Sequence, residues 1–424
     1  MVKGTGKLTS ATRAPIGIDG TRAEAKPAWP VWCVLALVVA SDFKFRLRAN
    51  DQAVSGNADP FVLLEIALYA AVACFLFVKF RPSVRTRRAD LLTWLAYAYA
   101  IVLAGSALYS PYFQLALVRA AQVVIVLALA RSIARHCDAG APHRIAHGYA
   151  VLMAASVCFG FVVRFPQLHT QKGRFTWLYV HPVQAGAMLA VATVLMAGYA
   201  ITTGLDRAGP RWRLPVYVAL FAVCAAGLVA TKTRGAVLGA IVGVLVLVWT
   251  RWRGQRKVEV GVVGAVALIA VALTTSSAIE DFFARGESAA RLATLNSRTN
   301  LWGFAFERFA EHPLYGFGLT SSRGLFLDQI GLGGGHNALV NLLVDTGLLG
   351  ALAWLALLGC MLLTAHRLRH HGGPSADRTI LLALVFALLA NSVFVEGLGA
   401  PANVLCTWLF VLVAWLSLAR KATG

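Results

Sequence analysis

Residues 213–257 read RLPVYVALFAVCAAGLVATKTRGAVLGAIVGVLVLVWTRWRGQRK. They hold two apolar runs, 213–231 and 234–252, each close to the roughly 20 residues a helix needs to cross a bilayer. Only a short polar turn separates the runs, and the basic cluster RWRGQRK follows the second. Two apolar helices joined this tightly leave no polar surface for water. A knot of Lys and Arg just past a span is what cytoplasmic loops carry. The stretch therefore reads as a membrane hairpin, with Lys232 and Arg234 at its outer tip.

The rest of the chain follows suit. Of its 424 residues, 58% are hydrophobic and 14% charged, and the mean hydropathy is +0.68. Soluble domains carry about 25% charged residues, so this surface faces lipid. Runs of spanning length occur at 28–43, 60–79, 90–109, 112–131, 145–163, 180–203, 213–231, 234–252, 258–276, 347–365, 379–396 and 402–419. The expectation is an all-α polytopic membrane protein of about twelve transmembrane helices. It divides into a disordered cytoplasmic tail at 1–27, helices at 28–276, an outer loop at 277–346 and three last helices at 347–424. The apolar start at 28 continues into charged sequence without a small-residue cleavage site, so it does not read as a cleavable signal.

The balance of 39 Lys+Arg against 19 Asp+Glu gives +20. On a soluble protein that would suggest nucleic acid. Here topology accounts for most of it, so no nucleic-acid partner is expected. With the N-terminus inside, every inner connection is basic, including Lys79, Arg81, Arg85, Arg87 and Arg88 in one and 251–257 in another. Both termini are thus expected inside. His143, His147, His366, His370 and His371 fall on that side and read as solvated. The seven cysteines show no ligand spacing and suggest neither a disulfide nor a metal site.

Topology gives no reason for fourteen other basic residues: Lys44, Arg46, Arg48, Arg119, Arg164, Lys172, Arg174, Lys232, Arg234, Arg285, Arg291, Arg298, Arg308 and Arg323. They lie outside or within a span and point to an anionic ligand. Arg119 stands two turns into the fourth span, where a charge marks a functional candidate. Arg234 opens a span, and Arg174 with Lys172 precedes another. Arginine's planar fork suits phosphate, and a helix N-terminus adds its own pull on anions.

The long outer loop contains SRTNLWGFAFERFAEH, a helix that Ser297 caps and Pro313 ends. Leu301, Trp302, Ala305, Phe306 and Phe309 fall on one face, which reads as packing on the membrane domain. After GLGGG comes His336, at the start of the helical run HNALVNLLVDTGLLG. The dipole at that end opposes positive charge, so the sequence predicts a neutral imidazole able to accept a proton as a general base. The outer segments hold no DxD or paired-carboxylate motif, and the chain has no Walker A loop or Rossmann fingerprint. The arginines would then have to neutralise a diphosphate leaving group. Glu65 and Glu396 stand within apolar segments as their partners or as parts of an ion-coupled path.

The text RTNLWGFAFERFAEHPLYGFG followed by HNALVNLLVDTGLLG, residues 298–350, resembles the O-antigen ligase/polymerase superfamily of bacterial envelope glycosyltransferases. His336-Asn337, nine residues, Gly347, two residues and Gly350 look like a ligase signature, as does Arg234 with Leu238 four positions on. The GRF…HPVQAG stretch looks like the segment around a third family arginine, with His181 where many relatives have asparagine. The resemblance covers the chain after about residue 160 best. It implies a fold related to the integral-membrane C-type glycosyltransferases and a multi-pass protein of the bacterial inner membrane. It implies transfer of O-antigen from undecaprenyl diphosphate to lipid A–core on the periplasmic face, inverting, without metal, nucleotide or other cofactor. His336 would be the catalytic base. Arg234 and Arg174, with Arg119 and Lys232, would bind the diphosphate, and Arg298 would orient the loop or touch donor phosphate. An O-antigen polymerase or a protein O-oligosaccharyltransferase would use the same donor, and a lipid-linked sugar transporter is the rival of another class.

Overall fold

A computed structural model of the chain describes residues 27–46, 59–80, 90–166, 171, 173–206, 210–252, 255, 259, 298–331, 333–370, 375–399 and 403–423. The described residues form thirteen α-helices and no strand. In chain order they are α1 Trp29–Asp42, α2 Pro60–Lys79, α3 Leu91–Ser106, α4 Phe113–His136, α5 Ala141–Val162, α6 Pro182–Asp206 and α7 Arg213–Ala230. Then follow α8 Arg234–Arg251, α9 Arg298–Glu311, α10 Ser321–Ile330, α11 Ala338–Leu368, α12 Ser375–Ser392 and α13 Val404–Thr423. Nine of these are long and apolar enough to cross a membrane: α2 to α8, α11 and α13. α1 is a shorter apolar helix of 14 residues. The predicted spans other than 258–276 each coincide with a described helix; 258–276 and the capping Ser297 lie outside the described residues.

Local chemistry sets where several helices begin. Asp59 accepts from the N–H groups of Phe61 (3.0 Å) and Val62 (3.1 Å), with Pro60 opening the helix. Asp90 does the same for Thr93 at 2.8 Å, which satisfies donors that lipid cannot. α6 and α13 are buried along almost their whole length and form the axis of the bundle. Around them Tyr149, Trp177, Trp408 and Trp415 are fully buried. Helices in lipid associate through close backbone approach, and small residues permit it. Gly235, Gly239 and Gly243 do this for α8: a side chain there would collide with Phe394, with Asn391 and the Ala387 carbonyl, and with Val194 and Ala387. α8 thereby seats against α12 and α6.

The helices alternate in direction, so two ends form. At one, Arg420 pairs with Asp90, and Lys421 Nζ donates to the Ala134 carbonyl at 2.6 Å. His143 and His147, read from sequence as solvated, are packed there instead. His143 lies 3.1 Å from Asp377 and 2.8 Å from the Tyr199 hydroxyl. His147 stacks on Tyr199 and Tyr217. Their aromatic partners come from α6 and α7, which sequence spacing alone could not bring near. His366 and His370 are exposed, as expected, and His371 lies outside the described residues.

At the other end α9 and α10 cover the bundle. Leu301 and Ala305 of α9 are buried with Phe326, Val340 and Val344, and Trp302 packs against them, so the predicted packing face holds. Phe306, 51% exposed, and Phe309 do not join this cluster, whereas Phe304 does. α11 begins nine residues before the predicted span because it is two helices joined at Gly347, whose backbone is left-handed (φ 60°, ψ −156°). The segment before α10 threads this break. Leu348 and Leu349 N–H donate to the Pro313 and Leu314 carbonyls, and Phe317 and Gly318 N–H donate to those of Val344 and Asp345. A side chain at Gly347 would collide with Leu314 backbone. Gly347→Ala is expected to cost about 1–3 kcal/mol from backbone strain alone, read as a lower melting temperature of the purified protein.

Candidate functional site

The predicted hairpin tip is a three-residue turn, Thr231–Lys232–Thr233, between α7 and α8. Lys232 takes a left-handed backbone (φ 50°) and its side chain is exposed. The Thr231 hydroxyl donates back to the Leu228 carbonyl at 2.7 Å, and the Thr233 hydroxyl donates to the Pro182 carbonyl at 2.9 Å. Gly186 lets α6 lie directly on the turn, since a side chain there would collide with Thr233. The turn is therefore fixed from two sides, and Arg234 follows it as the first residue of α8.

Arg174 is fastened to the same turn. Its Nε donates to the Thr231 carbonyl at 2.9 Å and an Nη to the Thr233 hydroxyl at 3.0 Å. Phe175 N–H binds the Ala230 carbonyl at 2.9 Å, which holds the strand of backbone in place. His181 sits at the head of α6, where its Nδ1 accepts the Val183 N–H at 3.2 Å. Its side chain keeps an exposed edge yet is ringed by protein. That desolvation, helped by the charges of Arg174 and His336, pushes His181 down to about 4. It is a neutral imidazole near pH 7, and it places Arg174 and His336 within electrostatic reach of one point.

Arg298, the first residue of α9, comes over the top. Its guanidinium stacks over the Phe394 ring at 5.4 Å and donates to the Phe394 carbonyl at 3.3 Å. Burial, and then the nearby Arg234, hold it below the usual arginine range. Phe394 also packs on the α8 N-terminus, in the space that Gly235 leaves beside Arg234. One turn at residues 393–394 thus serves Arg234 and Arg298 together.

The same turn anchors the histidine. Asn337 caps α11 by accepting the Val340 N–H at 3.0 Å, and its Nδ2 donates to the Val393 carbonyl at 3.1 Å. His336, just before it, is half-buried with a left-handed backbone (φ 52°) that a non-glycine residue adopts only when held. Three bonds hold it. Trp302 Nε1 donates to the Gly335 carbonyl at 3.0 Å, and Gly335 N–H donates to Asn341 Oδ1 at 2.8 Å. Asn341 Nδ2 in turn donates to Glu396 Oε2 at 2.7 Å. The sequence singled out His336 but not Trp302, Asn341 or the 393–394 turn, since these act through contacts distant in the chain.

The structure thus gathers Arg174, Lys232, Arg234, Arg298 and His336 around two turns. It places Arg119 elsewhere. That guanidinium is 2.9 Å from Glu65 and 2.9 Å from the Gln122 side-chain oxygen, within a separate polar group on α2 and α4. Lys172, Arg48, Arg285 and Arg291 lie outside the described residues. Among the described residues no group of three His, Cys, Asp or Glu side chains is arranged to hold a metal ion.

The class this defines is a polytopic helical membrane protein with a cationic site beside a histidine, built where several spans end. Residues 219–355 match the Wzy_C family, described as O-antigen ligase. The match takes in Arg234, Arg298 and His336, whereas Arg174 and His181 lie before it. It supports an O-antigen ligase/polymerase-type membrane glycosyltransferase acting on lipid-linked polysaccharide. No curated protein matches the chain.

Proposed function

We propose that the protein is an O-antigen ligase. It moves the glycan from undecaprenyl diphosphate to a hydroxyl of lipid A–core on the periplasmic face of the inner membrane. The observation that supports this is that Arg174 is bonded to the fixed turn that Arg234 follows, and that Arg174 and His336 both act electrostatically on His181. His336 removes the proton of the acceptor hydroxyl as its oxygen bonds to the anomeric carbon. The bond from that carbon to the diphosphate oxygen breaks with inversion, and its electron pair leaves on the diphosphate. Arg174, Lys232, Arg234 and Arg298 meet the growing negative charge; preorganised donors of this kind supply the largest share of such catalysis. The proton on His336 then passes to solvent.

The ligase signature His336-Asn337…Gly347…Gly350 favours ligation over polymerisation. Its other residues support the histidine structurally. Asn337 caps α11, Gly347 opens the break in that helix, and a side chain at Gly350 would collide with Thr346. Purified protein with undecaprenyl-diphosphate glycan and lipid A–core, in EDTA, should shift the core to a laddered product on a gel. A longer lipid-linked chain with unshifted core would mean a polymerase instead. Movement of the donor across proteoliposomes without a new glycosidic bond would mean a transporter.

Asn341→Ala should slow this transfer about tenfold, because losing a buried hydrogen bond costs roughly 1–3 kcal/mol and each 1.4 kcal/mol on the barrier is a factor of ten. The loss should fall on kcat, with KM for the donor little changed. An unchanged kcat would free His336 from the Asn341–Glu396 brace.

A further inference from the structure

A second cationic group lies on different helices. Arg119 of α4 binds Glu65 of α2, and Gln122 Nε2 donates to the same Glu65 oxygen at 2.8 Å. Lys44, just past α1, is brought beside them: its Nζ donates to the Ser41 carbonyl at 2.5 Å, and Ser41 meets the Tyr69 hydroxyl of α2 at 3.2 Å. From the other side α10 rests on the turn that starts α4. Tyr112 donates to Asp328 at 2.6 Å, the Ser110 hydroxyl donates to the Leu319 carbonyl at 2.8 Å, and Gly324 abuts the Tyr112 ring. Arg323, the neighbour of Gly324, feels the charges of Arg119 and Glu396. Lys44 feels those of Glu65, Arg119, Asp42 and Arg323.

A buried ion pair with its own glutamine explains Arg119 and Glu65 as structure. It does not explain the other two cations. Among the described residues neither Lys44 nor Arg323 closes an ion pair. Asp42, behind Lys44, is bound by Gln184 Nε2 at 2.6 Å. Both cations keep exposed surface, although surrounding protein and the Arg119 charge oppose their protonation. Cations brought near one another at the membrane boundary repel, and a site of this kind is relieved by an anion. The group adjoins the His336 loop through Glu396, which Asn341 links to Gly335. It shares no residue with the Arg174–Arg234 site. A transferase whose two substrates are both anionic lipids needs two such places.

We propose that Lys44 and Arg323, beside the Arg119–Glu65 pair, form a second anion subsite, which receives a phosphate-bearing head of the acceptor lipid while Arg174 and Arg234 hold the donor. This rests on the transfer reaction proposed above for the pairing of substrates with sites. Arg323→Gln should raise KM for lipid A–core about tenfold, the weight of one charge-assisted contact, and change KM for the donor less than twofold. Equal effects on both substrates would overturn the assignment.

A binding test separates this from the reaction itself. The Arg174→Gln/Arg234→Gln variant should still be stabilised against heat by dodecyl phosphate, and adding Arg323→Gln and Lys44→Gln should abolish that shift. A shift that persists would overturn the subsite. If inorganic phosphate at the same concentration does as well as dodecyl phosphate, the lipid assignment falls. If wild-type protein transfers nothing but the Arg323-dependent shift is present, the reaction is wrong and the anion subsite stands.

Discussion

His336→Ala is expected to lower glycan transfer by about 100- to 10,000-fold, the usual weight of a positioned general base. The protein should still insert and keep its melting temperature, because the fold around the histidine does not depend on its ring. The loop is held by backbone groups and neighbours: the Gly335 carbonyl on Trp302, the Gly335 N–H on Asn341, and Asn337 on Val393. Alanine also relieves no packing. What it removes is the group that, in the proposed reaction, takes the proton of the acceptor hydroxyl. KM for the donor should change little, since phosphate binding rests on other side chains. Transfer within threefold of wild type would end the general-base role. A raised donor KM with intact kcat would make His336 a binding residue. Gln or Asn at 336 separates hydrogen bonding from proton removal, and neither should restore the rate.

Most of the helical frame was legible because lipid imposes a simple rule: about 20 apolar residues, flanked by polar ones. The span at 60–79 coincides with α2, and 213–231 and 234–252 with α7 and α8 to within a residue. Reading failed where the backbone leaves the rule. The helical run after His336 and the span predicted from 347 are one element, α11, because the segment 313–318 supplies the hydrogen bonds that the break at Gly347 gives up. Charge made Arg174, Arg234 and Arg298 conspicuous, but not their arrangement. That depends on Thr231 and Thr233 as tethers, and on Phe394, an ordinary aromatic at the end of a span. Arg119 illustrates the opposite limit. Depth in the membrane flagged it correctly as unusual, while only the fold could show that its neighbours are Glu65 and Gln122.

Arg234→Lys keeps the charge and is still expected to lose about tenfold or more in rate, with Arg234→Ala losing about 100- to 1,000-fold, the range for removing one transition-state donor. The reasoning starts from the frame. Arg234 is the first residue of α8, so its side chain leaves from a helix N-terminus, whose dipole already favours an anion. The preceding turn cannot shift to compensate, because Thr233 is bonded to both Pro182 and Arg174. Nor can the helix rotate, because Gly235 is closed against Phe394. A lysine there brings one ammonium on a flexible stem and cannot bridge two phosphate oxygens in a plane. The loss should fall on kcat more than on donor KM, since charge on the diphosphate grows as the glycosidic bond breaks and a fixed fork is worth most at that moment. Arg298 offers the internal control: it is committed to the Phe394 ring and carbonyl, so Arg298→Lys should do less harm than Arg234→Lys. Were the two to lose equally, or Arg234→Lys to match wild type, the diphosphate would have to be held elsewhere and the site would need a different charge to catch the leaving group.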